Sequence, residues 1–559
     1  MAFDPDSVTG LVEHWDPDSI SGSQGDDITE WTGEVNSLVL AGPATDEPTL
    51  MVAARQPSTH QMLLMNTASA RMTVADASLE NGTMTAFVVF LPIAHKGSTG
   101  IQWVFNKDNT NPATIALQAT SGASGAYRSG VRLDGAEGTF ESVDATGYNQ
   151  RAAPQVLTLR YDGTDLILRA NGVEIATLEA VGAIDNDSPG NLVLGNHPSS
   201  FTVCNAMFGD VVWYDNAVSD VNMAAIEDWL IEKWLIDDYE DDYTTGSVTV
   251  EATPAAGEEE IFSPCIRELD EDTWIMFGAI KEAAGDWKWI DYWTAPKSDP
   301  HNWTRNTGGP IIEAVTDSPP ECRGVAAVYD GSTVHILVDG ADGSLYHFTG
   351  TDLASLTDNG AVFNGVAETW EAAIRHPDIA ETKVGDAWAV YYDARAGSPT
   401  SGNGSIGRTL TEDFSTFTDR TEVFTASDLW WMVTDVGAPS SKFRNDQWEL
   451  AFAGFNDNAK INDSNHYIGV AKSANGTSFE LATEFPILVP QRTVSNFSVD
   501  NPELFDDGSN LYLYFVARSA NVDADIAAVQ LGDAYDTALA AAAATDNVAQ
   551  RMLALGLLG

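Results

Sequence analysis

Residues 501–518 read NPELFDDGSNLYLYFVAR: a proline, a short extended run, an Asp-Gly turn and a second strand rich in aromatic residues. The same order, with a Gly or Asp turn, occurs four more times, at 263–279 (SPCIRELDEDTWIMFGA), 319–339 (PPECRGVAAVYDGSTVHILVD), 376–394 (HPDIAETKVGDAWAVYYDA) and 438–454 (APSSKFRNDQWELAFAG). The anchor prolines Pro264, Pro320, Pro377, Pro439 and Pro502 are spaced by 56, 57, 62 and 63 residues. A repeat of this length with room for four strands is the sequence form of a propeller blade, and five such units fill residues 250–535. Proline is tolerated where it opens a strand, because its missing N–H then breaks no ladder.

Before this repeat, residues 1–237 alternate apolar and polar positions in short runs such as TAFVVFLPI and FGDVVWYD, separated by Gly, Asn and Asp. That is the pattern of a β-sandwich. Asp162-Gly163 and Asn171-Gly172 are hairpin signals on either side of a strand from Asp165 to Ala170. Ser219 is placed to cap one amphipathic helix whose inner face carries Met223, Ile226, Leu230 and Trp234. Residues 238–249, opening on DYEDDY, read as a linker, and residues 536–559 read as a C-terminal helical tail with Val548, Met552 and Leu555 on one stripe. The expected fold class is therefore all-β: a jelly-roll sandwich, a five-bladed propeller and a short terminal helix.

Acidic residues number 82 against 28 basic ones, a formal charge of −54. Such a surface repels itself in dilute buffer, whereas at molar salt the screening length falls to about 3 Å. The composition leads to the expectation of a high-salt environment. It also excludes nucleic-acid binding, which needs clustered Lys and Arg. No apolar run is long enough for a membrane helix, so membrane insertion is not expected. Cys204, Cys265 and Cys322 have no metal-ligand spacing and form no disulfide framework. The opening residues MAFDPDSVTG lack a basic start and an apolar stretch, which leads to the expectation of release by lysis within a virus particle. The acidic pairs Asp26-Asp27 and Asp16…Asp18 are the places where a structural Ca or Mg ion can be held, since hard cations take carboxylate oxygens from loops. No other cofactor is implied.

The segments LVEHWDPDSI, LTLRYDGTDLILRANGVEI and NLVLGNHP…FGDVVWYDNAVSDVNMAAIEDWLIEKW resemble the laminin-G-like or concanavalin-like jelly roll of lectin modules and virus tail proteins. The repeat region resembles the five-bladed glycoside hydrolases that include arabinanases, xylosidases and invertases. In that group residues at the blade openings face a central funnel, and three acidic residues from three blades carry the chemistry. PECRG resembles the acid-bearing Glu-Cys motif and IRHPDI the Arg-Asp-Pro motif, here in reverse order and with His376 in place of the Asp. Ser263 stands where the group offers its general base. The resemblance implies Glu321, Asp378 and Asp500 as the catalytic candidates, since glycoside hydrolysis needs two carboxylates in different protonation states. Arg323, Arg375, His376, Asp435, Trp370, Trp430 and Trp431 are the ligand-binding candidates, the tryptophans for stacking on sugar rings.

Together these features lead to the expectation of a virion-associated protein, such as a tail fibre, spike or head decoration of a haloarchaeal virus. It binds a host-surface glycan or glycoprotein, contacts other virion proteins and forms homo-oligomers. The alternatives left open are a glycoside hydrolase acting on the surface polysaccharide and a purely structural virion component.

Overall fold

The computed structural model describes residues 5–22, 26–43, 48–52, 60–65, 71–74, 82–92, 101–107, 115–120, 126–132, 140–146, 155–184, 191–195, 206–234, 244–283, 285–314, 319–366, 370–396, 404–426, 431–432, 435–455, 466–483, 486–488, 498–518, 524–533, 535–537 and 539. The chain divides into two compact units, the first spanning Met1–Glu240 and the second beginning at Asp241. Cys204, Trp430 and the tail positions Val548, Met552 and Leu555 lie outside the described residues.

In the first unit the alternating runs form two eight-stranded antiparallel sheets. Their inner faces share one core, in which Trp15, Phe90 and Trp213 of one sheet meet Leu40, Phe105 and Leu117 of the other. The expected strand is present as Asp165–Ala170. Asn171 and Gly172 both take positive φ, 47° and 75°, which is what a two-residue hairpin with the right twist requires. The helix runs Asp220–Trp234 and buries the four expected apolar residues. Its face also buries Glu227, which accepts hydrogen bonds from Thr158 Oγ1 at 2.7 Å and Arg169 Nε at 2.9 Å. The hydroxyl of Ser219 accepts from the N–H of Asn222, as an N-cap does.

The second unit is a ring of five blades of antiparallel strands: the second, third and fourth are separate four-stranded sheets, and the first and fifth join in one nine-stranded sheet through a parallel bridge between Glu260 and Ala524. Their innermost strands are Glu258–Glu268, Val325–Asp330, Ala373–Ile379, Asp435–Arg444 and Ser498–Asp506. Adjoining blades interlock through apolar side chains: Ala326 and Leu337 with Ile374 and Tyr392, Ile468 with Phe515, and Met276 with Tyr514. The ring closes on itself, because Thr244–Ala252 pairs with Ala524–Leu531 and supplies the outer strand of the fifth blade. The stretch read as a linker through residue 249 is thus a strand from Thr244 onward. Borrowing the outer strand from the start of the ring covers the edge of Ala524–Leu531 and ties the two ends of the domain together.

Four of the five anchor prolines play one structural role. Ser263, His376, Ala438 and Asn501, each just before its proline, have φ of 51°, 43°, 46° and 44°. Each sits in a β-bulge of an innermost strand, between Phe262 and Cys265, Arg375 and Asp378, Gly437 and Ser440, and Asp500 and Glu503. A positive φ at a non-glycine residue is strained, and it persists here because the closed ring over-determines it. Pro320 departs from the pattern. It lies ahead of the strand Val325–Asp330, whose pairing with its neighbour runs without a bulge.

Candidate functional site

Bulges re-aim side chains, and these four turn the residue before the proline toward the propeller axis. There Asn501 Nδ2 donates to Ser263 Oγ at 2.8 Å and lies 3.0 Å from His376 Nδ1. Because the amide nitrogen is a donor, His376 Nδ1 accepts and the ring carries its proton on Nε2. Burial, reinforced by the guanidinium of Arg375, holds the His376 imidazole well below its ordinary pKa and therefore neutral. The bulge residues thus contribute Ser, His, Ala and Asn to the axis, and none of the four is a carboxylate.

Above them opens a cavity of about 180 Å³ to which all five blades contribute. Four arginines line it: Arg323, Arg375, Arg395 and Arg518. Each is held from behind by a carboxylate. Arg323 pairs with Glu321, and Arg375 Nε lies 4.0 Å from Asp339. Arg395 reaches Asp435 at 2.6 Å, and Arg518 reaches Glu260 at 3.2 Å. The wall is aromatic: Phe262, Trp287 and Phe455. Arg518 lies 4.4 Å from the ring centre of Phe262, and Arg395 lies 5.8 Å from that of Phe455, so two guanidiniums are braced on aromatic faces.

Two carboxylates reach the cavity, Asp393 and Asp500, and both are engaged. Asp393 pairs with Arg395 at 3.3 Å. Asp500 Oδ2 is 2.7 Å from His466 Nδ1. Burial opposes the ionisation of Asp500, yet the hydrogen bond with His466 and the guanidinium of Arg518 outweigh it and hold the carboxyl far below its usual range. Beneath the bulges the axis narrows to a cavity of about 20 Å³ lined by Pro264, Pro377, Pro439 and Pro502, enough for one water molecule. A ligand can enter the mouth but cannot thread the ring.

The candidates read from the sequence divide between the mouth and its surroundings. Arg323, Arg375, His376 and Asp500 line the mouth, and Asp435 stands behind Arg395. Glu321 lies on the stretch entering the second blade, bound to Arg323, because Pro320 is not a bulge proline. Asp378 faces down the axis, where Ser441 donates to its Oδ2 from both backbone N–H (2.8 Å) and hydroxyl. Trp431 is fully buried, stacked on Phe452. Trp370 stacks at 6.3 Å on Tyr392 and packs against the core between the second and third blades. Neither tryptophan lines the cavity.

Sequence reasoning missed Phe262, Trp287, Asp393, Arg395, Phe455, His466 and Arg518. A signal for three of them existed. Arg395, Phe455 and Arg518 each end the second strand of a blade, directly across from residues that open the first: Ala373, Asp435 and Ser498. In an antiparallel pair the end of one strand stands beside the start of the other, so the mouth has two rows of residues where only the first was read.

Of the acidic residues of the first unit considered for a metal ion, Asp16 and Asp18 are bound to basic side chains. Lys233 Nζ lies 2.7 Å from Asp16 and 3.0 Å from Asp210, and Asp18 pairs with His60. The lysine ammonium fills the place between carboxylates that a cation would take.

No protein-family model and no curated protein sequence matches the chain. Several solved structures are similar to its fold. A glycoside hydrolase is 13% identical and has a TM-score of 0.41, with 52% of this chain and 93% of that one covered. A thermostable family-43 glycoside hydrolase is 12% identical, TM-score 0.40, covering 50% and 92%. The catalytic domain of an α-L-arabinofuranosidase from Coprinopsis cinerea is 10% identical, TM-score 0.39, covering 52% and 98%. Likeness at this level assigns no activity, and the functional reading rests on the geometry of the mouth.

Proposed function

We propose that this protein binds saccharides, seating a single sugar residue of a cell-surface glycan in the propeller mouth. The observation that carries the reading is a concave site with aromatic walls and fixed hydrogen-bonding groups, the general form of a small-ligand pocket. Its volume of about 180 Å³ is below the roughly 300–1,000 Å³ of drug-sized sites, which favours one terminal ring over an extended chain. Aromatic faces suit the apolar faces of pyranose rings.

Binding is favoured over hydrolysis by the state of the carboxylates. A general acid must hold a proton at working pH. Asp500 is held ionised and Asp393 is paired with Arg395, so neither is arranged to donate one. The wider context proposed is host recognition by a virus particle in a salt-rich habitat, for which the acid excess is the supporting feature.

The test incubates the purified protein, in molar KCl, with haloarchaeal cell envelopes, scoring both co-sedimentation and released saccharide. Binding without release, lost in Phe455→Ala, is the expected result. Release that disappears in Asp500→Asn establishes a hydrolase instead. Absence of both removes the saccharide reading.

A further inference from the structure

Four of the chain's 28 basic residues converge on this one cavity, in a protein carrying 82 acidic side chains. The inference from this rests on the saccharide reading above and concerns which sugar the mouth accepts.

The lining is rich in donors and poor in free acceptors. A guanidinium offers five N–H donors in a planar fork and no acceptor, and a carboxylate behind it engages at most two of them well. Arg518 Nε is buried and has no hydrogen-bond acceptor among the described residues. Of the carboxylates that reach the cavity, Asp500 is engaged through both oxygens, by His466 and by the N–H of Asn501, and Asp393 holds Arg395 through Oδ2, while its Oδ1, like Arg518 Nε, is buried without a partner among the described residues.

A neutral sugar hydroxyl presents donor and acceptor together and matches the paired N–H donors of a guanidinium fork poorly. A planar carboxylate or a sulfate group presents only acceptors, in the geometry that an arginine fork matches two at a time. Long-range attraction is screened at molar salt, whereas contact pairs in a partly buried cavity are screened much less. We infer that the mouth recognises an acidic sugar residue, one whose ring bears a carboxylate or a sulfate ester, with its anionic group among Arg323, Arg375, Arg395 and Arg518 and its ring against Phe262, Trp287 and Phe455.

The experiment titrates the full chain in molar KCl with methyl glucuronide, methyl glucoside, a sulfated glucose and inorganic sulfate, measuring affinity by ligand-observed NMR. The expected result is that at least one acidic sugar binds about tenfold or more tightly than methyl glucoside, about 1.4 kcal/mol. Comparison of the uronide with the sulfated sugar identifies which anion is preferred. Arg323→Gln, at a part-exposed pair, and Arg518→Gln each reduce that preference, with near-ultraviolet circular dichroism confirming the fold of each variant. Equal affinity for acidic and neutral sugars overturns the inference and leaves the saccharide reading standing. Inorganic sulfate binding as tightly as the sulfated sugar also overturns it, since the ring then contributes nothing. If no sugar binds, the saccharide reading falls as well.

Discussion

Arg267 Nη1 donates to Glu503 Oε1 across 2.7 Å, joining the first blade to the fifth at the propeller axis. The same guanidinium donates from Nε to the carbonyl of Ala327 in the second blade at 2.7 Å, and from Nη2 to the carbonyl of Ile379 in the third at 3.0 Å. Glu503 Oε2 accepts from Ser440 Oγ of the fourth at 2.9 Å. One buried arginine and its carboxylate partner thus touch every blade. Asp378 belongs to this network, 3.5 Å from Arg267, and its position after a bulge proline serves the centre of the ring.

Removing Arg267 leaves Glu503 and Asp378 buried with no cation between them. Breaking a buried pair in this way costs about 3–5 kcal/mol, most of it the desolvation of the charge left behind. Arg267→Met is expected to lower propeller stability by that amount in denaturant titrations, and Arg267→Lys to recover part of it by keeping the charge without the fork. A loss below about 1 kcal/mol for Arg267→Met would show that the network is not a stability determinant.

Asp378 makes the network sensitive to pH. Its burial, together with the charge of Glu503, raises its pKa to about 7, from about 3.9 in an unfolded chain. Between these values the native state holds a proton that the unfolded state has released, so the contribution is full below about pH 4 and is lost as pH rises through 7. Asp378→Asn removes the titration. The melting temperature of the parent should therefore fall relative to that of the variant between about pH 4 and 7, and curves that stay parallel across this window contradict the assignment.

Trp431 occupies space that two glycines leave open. A Cβ on Gly469 would lie 2.1 Å from Trp431 Cη2, and one on Gly454 would lie 2.5 Å from its Cε3. Gly469→Ala is expected to cost about 1–3 kcal/mol by overpacking. Combining it with Trp431→Phe should recover part of the loss, a coupling that a double-mutant cycle measures. Envelope binding per folded molecule should not change, because Trp431 is core; a selective loss of binding would return it to the site.

The seam of the ring can be locked. Thr249 and Ala528 are direct partners in the antiparallel ladder that closes the fifth blade. Facing Cα atoms in such a ladder are about 4.5–5.5 Å apart, within the range a disulfide spans. Thr249→Cys with Ala528→Cys should, when oxidised, stabilise the propeller by about 2–4 kcal/mol, since the crosslink closes a very long loop of the unfolded chain. No difference between oxidised and reduced protein in thermal melts would mean that the seam does not open on unfolding.

Much of this architecture was legible before any coordinates. A blade must bury both faces against its neighbours, so its strands recur with a period that proline and turn residues mark, and the five units were countable. The hairpin at Asn171-Gly172 and the buried face of the helix Asp220–Trp234 were equally visible, because local backbone geometry and periodicity decide them. Thr244–Ala252 was misread because a strand that closes a ring has its partner at the far end of the domain, and nothing local distinguishes it from a linker. Pro320 was aligned with the other prolines by spacing, although only pairing with the adjacent strand reveals whether a bulge is present.

The sequence alone determined that the chain is all-β, acidic throughout and repeated five times, since these follow from composition and from contacts near in sequence. The contents of the mouth were decided only by tertiary structure. Closing the ring brings Asn501 to Ser263 across 238 residues and to His376 across 125. It sends Asp378 to the central network and Asp500 to the cavity, although both border bulge prolines. Which carboxylate meets a cation, and which arginine is left facing open space, depends on distances that no local pattern encodes.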